Sequence, residues 1–316
     1  ASARQLMNFG ADIEDKIRKA DENGSNSLFP LFLSFGATRL EKNYKSAEKT
    51  KQRETRESKA YKCALDEQVD FKSAFDWIYR YEKSFDKGSE FAGTNEAFLN
   101  AIKKAIPAIR QIDIDTKNNE FTAQIKMSKD NEPYWLTYDM MSAGFKAMIN
   151  ITAEIAHRCI ELNGFLGLEA VKKTPGIVMI DEVDLYLHPH WQQHILSDLQ
   201  TAFPEMQFIV TTHSPFIVQS VKSQNVITLD GVKGDSNPDM RSIEDIAVTE
   251  MNMDTARFPR YQQMVEQAEK YYQLVKLGKD KTLEARNVKK ELDDIEALFS
   301  DDPAYVALLR AERNSQ

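Results

Sequence analysis

Apolar positions change their spacing several times along this chain, and each change predicts an element. Residues 4–20 place Leu6, Phe9, Ile13 and Ile17 at helical spacing, and Asn23-Gly24 then breaks the helix. Residues 28–36 are a short apolar run ending in glycine, the pattern of a buried strand. Residues 71–108 return to a helical period: Phe71, Phe75, Ile78 and Tyr79 make one face, and Phe98, Ile102 and Ile106 another. Residues 111–115 and 121–127 alternate around Lys117-Asn118-Asn119, which predicts a β-hairpin. A long helix is expected from about residue 143 to 162, followed by strand 176–180, helix 190–202, strand 207–211, a short helix from Pro215 and strand 225–229. Strands alternating with helices predict an α/β fold, with a parallel sheet covered on both faces.

From Phe258 onward the strand patterns stop. Tyr261, Met264, Val265, Ala268, Tyr271, Tyr272 and Val275 make one amphipathic stripe, and Val288, Leu292, Ile295 and Phe299 a second. Asp302-Pro303 supplies a cap and a first-turn proline for a last helix. The expected organisation is a head over residues 1–252, with a helical insertion at about 41–108, and a C-terminal helical extension over 253–316.

Composition narrows the setting. A formal charge of −8 argues against a whole-chain affinity for nucleic acid. Residues 41–62 are rich in lysine, arginine and glutamate and offer little to bury; they read as a solvated surface segment, with a local nucleic-acid contact left open. Cys63 and Cys159 have neither disulfide nor zinc spacing and read as small buried hydrophobes in a reducing compartment. No apolar run reaches the roughly 20 residues of a membrane span, and no charged-then-apolar leader opens the chain, so a cytoplasmic protein without a membrane contact is expected.

The candidate chemistry sits at two strand ends. Residues 176–180 are apolar and run into Asp181-Glu182. Ligands of open α/β sheets bind beyond the carboxyl ends of the strands, and adjacent carboxylates there repel unless a cation or proton separates them. Asp181 then partners Mg²⁺, mostly through water, and Glu182 polarises an attacking water; a helix cap with incidental acids is the bland alternative. Residues 208–215 are a second apolar strand ending in Thr-Thr-His-Ser-Pro, where His213 either senses a γ-phosphate or bonds to backbone. Upstream, Ser142 and Gly144 open the long helix and either present amides to an anion or act as a plain N-cap. His188, His190 and His194 invite a metal reading, but helix capping and subunit contact suit a loop around Pro189 better.

The order of these elements carries a resemblance. A Ser-x-Gly helix start, an apolar strand with Asp-Glu about 40 residues on, and a strand ending in histidine about 30 residues further resemble the ATP-binding cassette superfamily. The branch is the SMC-like and overcoming-lysogenization-like heads, over residues 28–230. The resemblance implies an ABC-ATPase head with ATP and Mg²⁺ as cofactors. It makes Ser142, Gly144 and Lys146 the signature region, Asp181 the Walker B acid, Glu182 the catalytic glutamate and His213 the switch histidine. Residues 184–189 then fall where a D-loop meets the opposite subunit of a homodimer or higher oligomer. A narrower likeness, in residues 33–39, 259–261 and 301–305, is to the ATPase subunit of Septu-type and retron-associated phage-defence systems. It implies a regulatory ATPase that controls an HNH-type nuclease, with a retron reverse transcriptase and its RNA–DNA hybrid as a further partner, and it places Arg39 against nucleotide.

One departure stands out. The phosphate loop G-x-x-x-x-G-K-[ST] is not in this sequence, and Gly88 to Thr94 lacks its lysine. In the superfamily that loop precedes the region matched here, so an N-terminal segment is expected upstream of Ala1. Two other classes compete. A nuclease of the overcoming-lysogenization class needs acid-bearing strands after residue 230, where the pattern is helical, and a structural SMC-like head needs a long coiled coil that residues 41–140 are too short to hold.

Overall fold

Leu31–Phe35 (β1) is a strand because its apolar side chains alternate, leaving Leu31, Leu33 and Phe35 fully buried. Amphipathic helices Lys72–Lys83 (α1) and Thr94–Ala105 (α2) follow. The chain then forms Ile109–Asp115 (β2), Glu120–Ile125 (β3) and Tyr134–Thr137 (β4), an antiparallel sheet in the order β2-β3-β4. The hairpin turn is set by Asp115, whose Oδ1 accepts from the amides of Lys117 at 2.7 Å and Asn118 at 3.2 Å, and by Asn119 in the left-handed region at φ 53°.

Ala143–Asn163 (α3) is buried nearly all round, as an apolar helix inside a core must be. After it come Gly176–Ile180 (β5), Pro189–Gln192 (α4), Ile195–Ala202 (α5), Met206–Val210 (β6) and Pro215–Gln219 (α6). Strands β1, β5 and β6 form a parallel sheet in the order β1-β5-β6. Gly176 permits the close approach of β5 to β1, since a Cβ there would stand 2.2 Å from the Leu31 carbonyl oxygen. Asn163 fixes the entry to β1: its Oδ1 accepts from the Phe29 amide at 2.9 Å, and its Nδ2 donates to the Phe29 carbonyl at 2.8 Å and to Thr174 Oγ1 at 2.9 Å. Within α3, Glu154 and Arg158 make a buried ion pair at 2.6 Å, and Arg158 also donates to the Ala60 carbonyl.

This computed structural model describes residues 27–39, 72–83, 93–127, 132–227, 238–251 and 259–296, with a few isolated positions besides. The chain divides into two units, Ala1–Val226 with Asn237–Asp239, and Ile227–Ser236 with Met240–Gln316. All the elements above lie in the first. The second contains Ile243–Thr249 (α7), capped by Ser242, and two longer helices, Pro259–Lys276 (α8) and Leu283–Glu296 (α9), that pack on each other. Ala268 on α8 and Ala285, Val288 and Leu292 on α9 are buried, whereas Tyr272 is 44% exposed.

The expected α/β architecture, a parallel sheet flanked by helices, is present. Four local expectations need correction. Residues 190–202 are two helices, not one, because the chain turns at Gln193-His194. Residues 223–225 form a 3₁₀ turn and the described residues after it carry no strand. Strand β4 was not anticipated, since Tyr134-Trp135-Leu136 shows no alternation. Among the described residues the sheet is packed more closely on one face: Val178 and Ile180 are buried, but Met179 and Ile209 on the other face are 39% and 49% exposed. The helix expected at 4–20 is described only at positions 15, 16 and 19. The segment 41–59, Cys63 and the last helix lie outside the described residues. Cys159 is fully buried, and burial pushes its thiol pKa well up.

Candidate functional site

Both apolar strands end at the same edge of the sheet, and the turns beyond them are laced together. The Asp181 amide still pairs with β1, donating to the Phe35 carbonyl at 2.8 Å. Glu182 leaves the strand in the left-handed region, at φ 46°. Its amide donates to Thr211 Oγ1 at 2.9 Å, and the Val183 amide to the Thr211 carbonyl at 3.0 Å. The Thr211 hydroxyl donates in turn to Asp181 Oδ1, so one side chain serves both members of the acidic pair.

A second set of bonds runs one step further along. The Thr212 hydroxyl donates to Asp184 Oδ1, which also accepts from the His213 amide at 3.4 Å. Ser214 Oγ donates to Gln192 Oε1 at 2.7 Å, and Gln192 Nε2 donates to the Leu187 carbonyl at 3.0 Å. Residues 211–214 are therefore tied to residues 181–192 side chain by side chain. Asp181, Glu182 and His213 emerge together, with Asp181 and His213 exposed and Glu182 half-buried.

Ser142 caps α3, its Oγ accepting from the Phe145 amide at a long 3.4 Å, and its side chain is exposed. Gly144 is required by packing. A Cβ there would stand 2.7 Å from the Tyr186 carbonyl oxygen and 3.5 Å from the Trp191 ring. Next to it, the Phe145 and Trp191 rings meet edge-to-face with centroids 4.4 Å apart. The start of α3 thus sits directly on residues 186–191, which come soon after the acidic pair. Replacing Gly144 by alanine should cost about 1–3 kcal/mol through overpacking. A lowered melting temperature checks this; an unchanged one would mean the Tyr186 carbonyl yields freely.

Lys146 and Arg39, both expected at nucleotide, make contacts within the chain. Lys146 Nζ donates to the Asp139 carbonyl at 2.9 Å and stands 5.6 Å from the Tyr138 ring centroid. Arg39, expected against nucleotide, is 3% exposed with its guanidinium on main-chain carbonyls. His188 caps α4, with Nδ1 accepting from the His190 amide at 3.2 Å, and the His190 and His194 rings meet edge-to-face. Among the described residues no three His, Cys, Asp or Glu side chains converge as a metal-holding group. What the sheet edge does offer is an exposed carboxylate backed by a hydroxyl. Such a sparse, hard-oxygen set suits a divalent cation that keeps most of its water.

The family described as "AAA domain, putative AbiEii toxin, Type IV TA system" matches residues 9–219. The chain belongs to this AAA-domain family. It is 31% identical over 185 residues to the Retron Vc95 probable ATPase of Vibrio cholerae serotype O1 biovar El Tor, covering 56% of this chain and 35% of that protein. It is 40% identical over 104 residues to the Retron Ec83 probable ATPase of Escherichia coli, covering 33% and 19%. It is 31% identical over 165 residues to the Septu protein PtuA of Bacillus thuringiensis, covering 47% and 40%. The chain therefore matches well under half the length of each of these relatives. A solved structure of an SMC head bound to the C-winged helix domain of ScpA aligns at a TM-score of 0.31 and 17% identity, covering 47% of this chain and 44% of that one. The retron and Septu relatives bear out the family resemblance read from the sequence.

Thr211, Thr212 and Gln192 had no role assigned from the sequence, and Asp184 only a place in the D-loop segment. The signal available was the Thr-Thr pair directly before His213: two hydroxyls at a strand end beside two acids are well placed to bond to them.

Proposed function

We propose that the full-length protein is an ATP-hydrolysing regulatory subunit of an anti-phage defence complex, which dimerises through shared ATP sites and controls a nuclease. One observation carries the reading: the Asp181-Glu182 turn after β5 is bonded through Thr211 to the strand end that bears His213. This brings an exposed acid, a half-buried acid and an imidazole to the ligand-binding edge of a parallel sheet.

Asp181 would hold Mg²⁺ through its water shell, and Thr211 orients that carboxylate from behind. Glu182 accepts a hydrogen bond from the attacking water and turns the lone pair of that water toward the phosphorus. His213, whose amide is fixed by Asp184, presents its imidazole to the terminal phosphate. Bound Mg²⁺ supplies neutralisation of the charge that builds on the phosphate oxygens. Ser142, Gly144 and the first amides of α3 serve the nucleotide of the opposite subunit. Residues 184–189 lie between the two roles: Asp184 bonds to the strand end after β6, and Tyr186 lies against Gly144.

Support for the biological setting comes from relatives described as probable ATPases of retrons and as Septu proteins. In this reading the effector is an HNH-type nuclease and the sensed assembly a reverse transcriptase with its RNA–DNA hybrid. The helices of the second unit dock one of them, in keeping with the exposed Tyr272, Leu277 and Leu283. Among the described residues no helix is long and apolar enough to cross a membrane.

Phosphate release from ATP by the full-length protein tests the enzymatic core. Release should require Mg²⁺ and stop when EDTA removes it. Absence of release under both conditions, from protein that binds its partners, would contradict the reading.

A further inference from the structure

The turn that carries Glu182 is gripped by an arginine from the neighbouring strand. After β1 the chain turns back on itself, with the Arg39 amide donating to the Gly36 carbonyl at 3.2 Å. The Arg39 side chain folds into the interior and is 3% exposed. Its Nη1 donates to the Asp181 carbonyl at 2.7 Å and to the Gly36 carbonyl at 3.1 Å, and its Nη2 donates to the Glu182 carbonyl at 3.0 Å. The guanidinium thus joins the end of β1 to the first two residues after β5.

Backbone conformation shows what this grip maintains. Among the described residues Glu182 is one of three non-glycine residues with positive φ, at 46°. Such a conformation is strained and persists only where the surroundings over-determine it. Here they do. The Glu182 amide is held by Thr211 Oγ1, and its carbonyl accepts from both Arg39 Nη2 and the Leu185 amide at 3.0 Å. The strained residue is the same one that the reaction needs as its water-polarising group.

Stability alone does not account for an arginine at this position. Its Nε is buried without a hydrogen-bond partner among the described residues. Burial draws the guanidinium pKa down from its ordinary value, although Asp181, Glu182, Tyr186 and Asp184 oppose that shift. A well-packed apolar side chain often stabilises a fold as much as such a buried charge does. What only arginine offers is a planar fork that reaches two adjacent carbonyls at once; a lysine is a single point of charge.

We propose that Arg39 is a positioning residue, whose guanidinium fork holds the Asp181 and Glu182 carbonyls so that the Glu182 carboxylate stays aimed at the attacking water. This rests on the ATPase reading above and replaces a nucleotide contact for Arg39 with a main-chain one. Charge at this position is then insufficient without the fork.

The test is Arg39→Lys in the full-length protein, beside wild type, with two readouts. In steady-state kinetics kcat should fall about 100-fold, the scale of a small misplacement of a reacting group, while KM and Kd for ATP stay at their wild-type values. In hydrogen exchange, amides 182–187 should exchange about tenfold faster, with the rest of β1 and β5 unchanged. A raised Kd for ATP with unchanged exchange would overturn the proposal in favour of nucleotide contact. Wild-type kcat in the lysine variant would overturn it as well, by showing that charge suffices. Arg39→Ala supplies the second variant: millimolar guanidinium should restore part of its turnover, and failure to do so in folded protein counts against the fork. Were wild type itself to release no phosphate, the ATPase reading would fail, and the exchange readout would still decide whether Arg39 holds the turn.

Discussion

Ser142→Arg in the full-length protein is expected to abolish ATP-dependent dimerisation while leaving ATP binding by a single subunit near the wild-type level. The side chain is exposed at the first turn of α3, and its only described bond is the long one from the Phe145 amide. Loss of that cap costs about 1 kcal/mol, too little to unfold a helix buried over most of its length. The consequence is therefore local. Arginine places a bulky cation where the first-turn amides would meet the phosphates of the opposite subunit's nucleotide, and it covers those amides. If the proposed dimer is the form that hydrolyses ATP, turnover should fall to background.

The same variant separates shared from private sites. In the proposed symmetric dimer each site would take its acids from one subunit and its serine from the other. A mixed dimer of Ser142→Arg with Glu182→Gln then has one doubly damaged site and one intact site. Mixing should restore turnover, and each mixed dimer, with one intact site of two, should reach about half the wild-type rate. Absence of any restoration, with mixed dimers demonstrably formed, would argue that each subunit works alone.

Much of the first unit was legible because its strands and helices each announce themselves by period. The alternating Leu31, Leu33 and Phe35, the wholly apolar run before Asp181, and the long apolar stretch after Ser142 leave few alternative folds. What was not legible depends on side chains reaching across the sheet. Residues 190–202 break in two at Gln193-His194, next to a glutamine whose amide bonds back to Leu187 and onward to Ser214. No local pattern encodes such a bond. The less closely packed face of the sheet was missed for a similar reason: Met179 and Ile209 are as apolar as Val178, and a strand's hydrophobicity does not say which face is covered.

At the site, residue type made the acids, the histidine and the helix start the candidates, and the structure brings the acids and the histidine to one edge of the sheet. Position along the chain could not show that Thr211 serves both Asp181 and Glu182, or that Gly144 is a glycine because the Tyr186 carbonyl comes so close. Arg39 is the clearest case. Its sequence context resembles a residue that meets nucleotide, yet the fold turns it inward onto the main chain of the acidic pair.

If the Glu182 carboxylate polarises the attacking water, Glu182→Gln removes that function and little else. The Thr211 and Arg39 bonds to this residue are all made by its main chain, so a nearly isosteric amide leaves them in place. Fold and ATP affinity should therefore persist, while the loss of a base lowers turnover by about 10²–10⁴-fold. The measurement is phosphate release and ATP binding on the same full-length samples, wild type beside variant. The account predicts a variant that holds ATP as tightly as wild type and barely hydrolyses it. Turnover at the wild-type rate from the glutamine variant would contradict it.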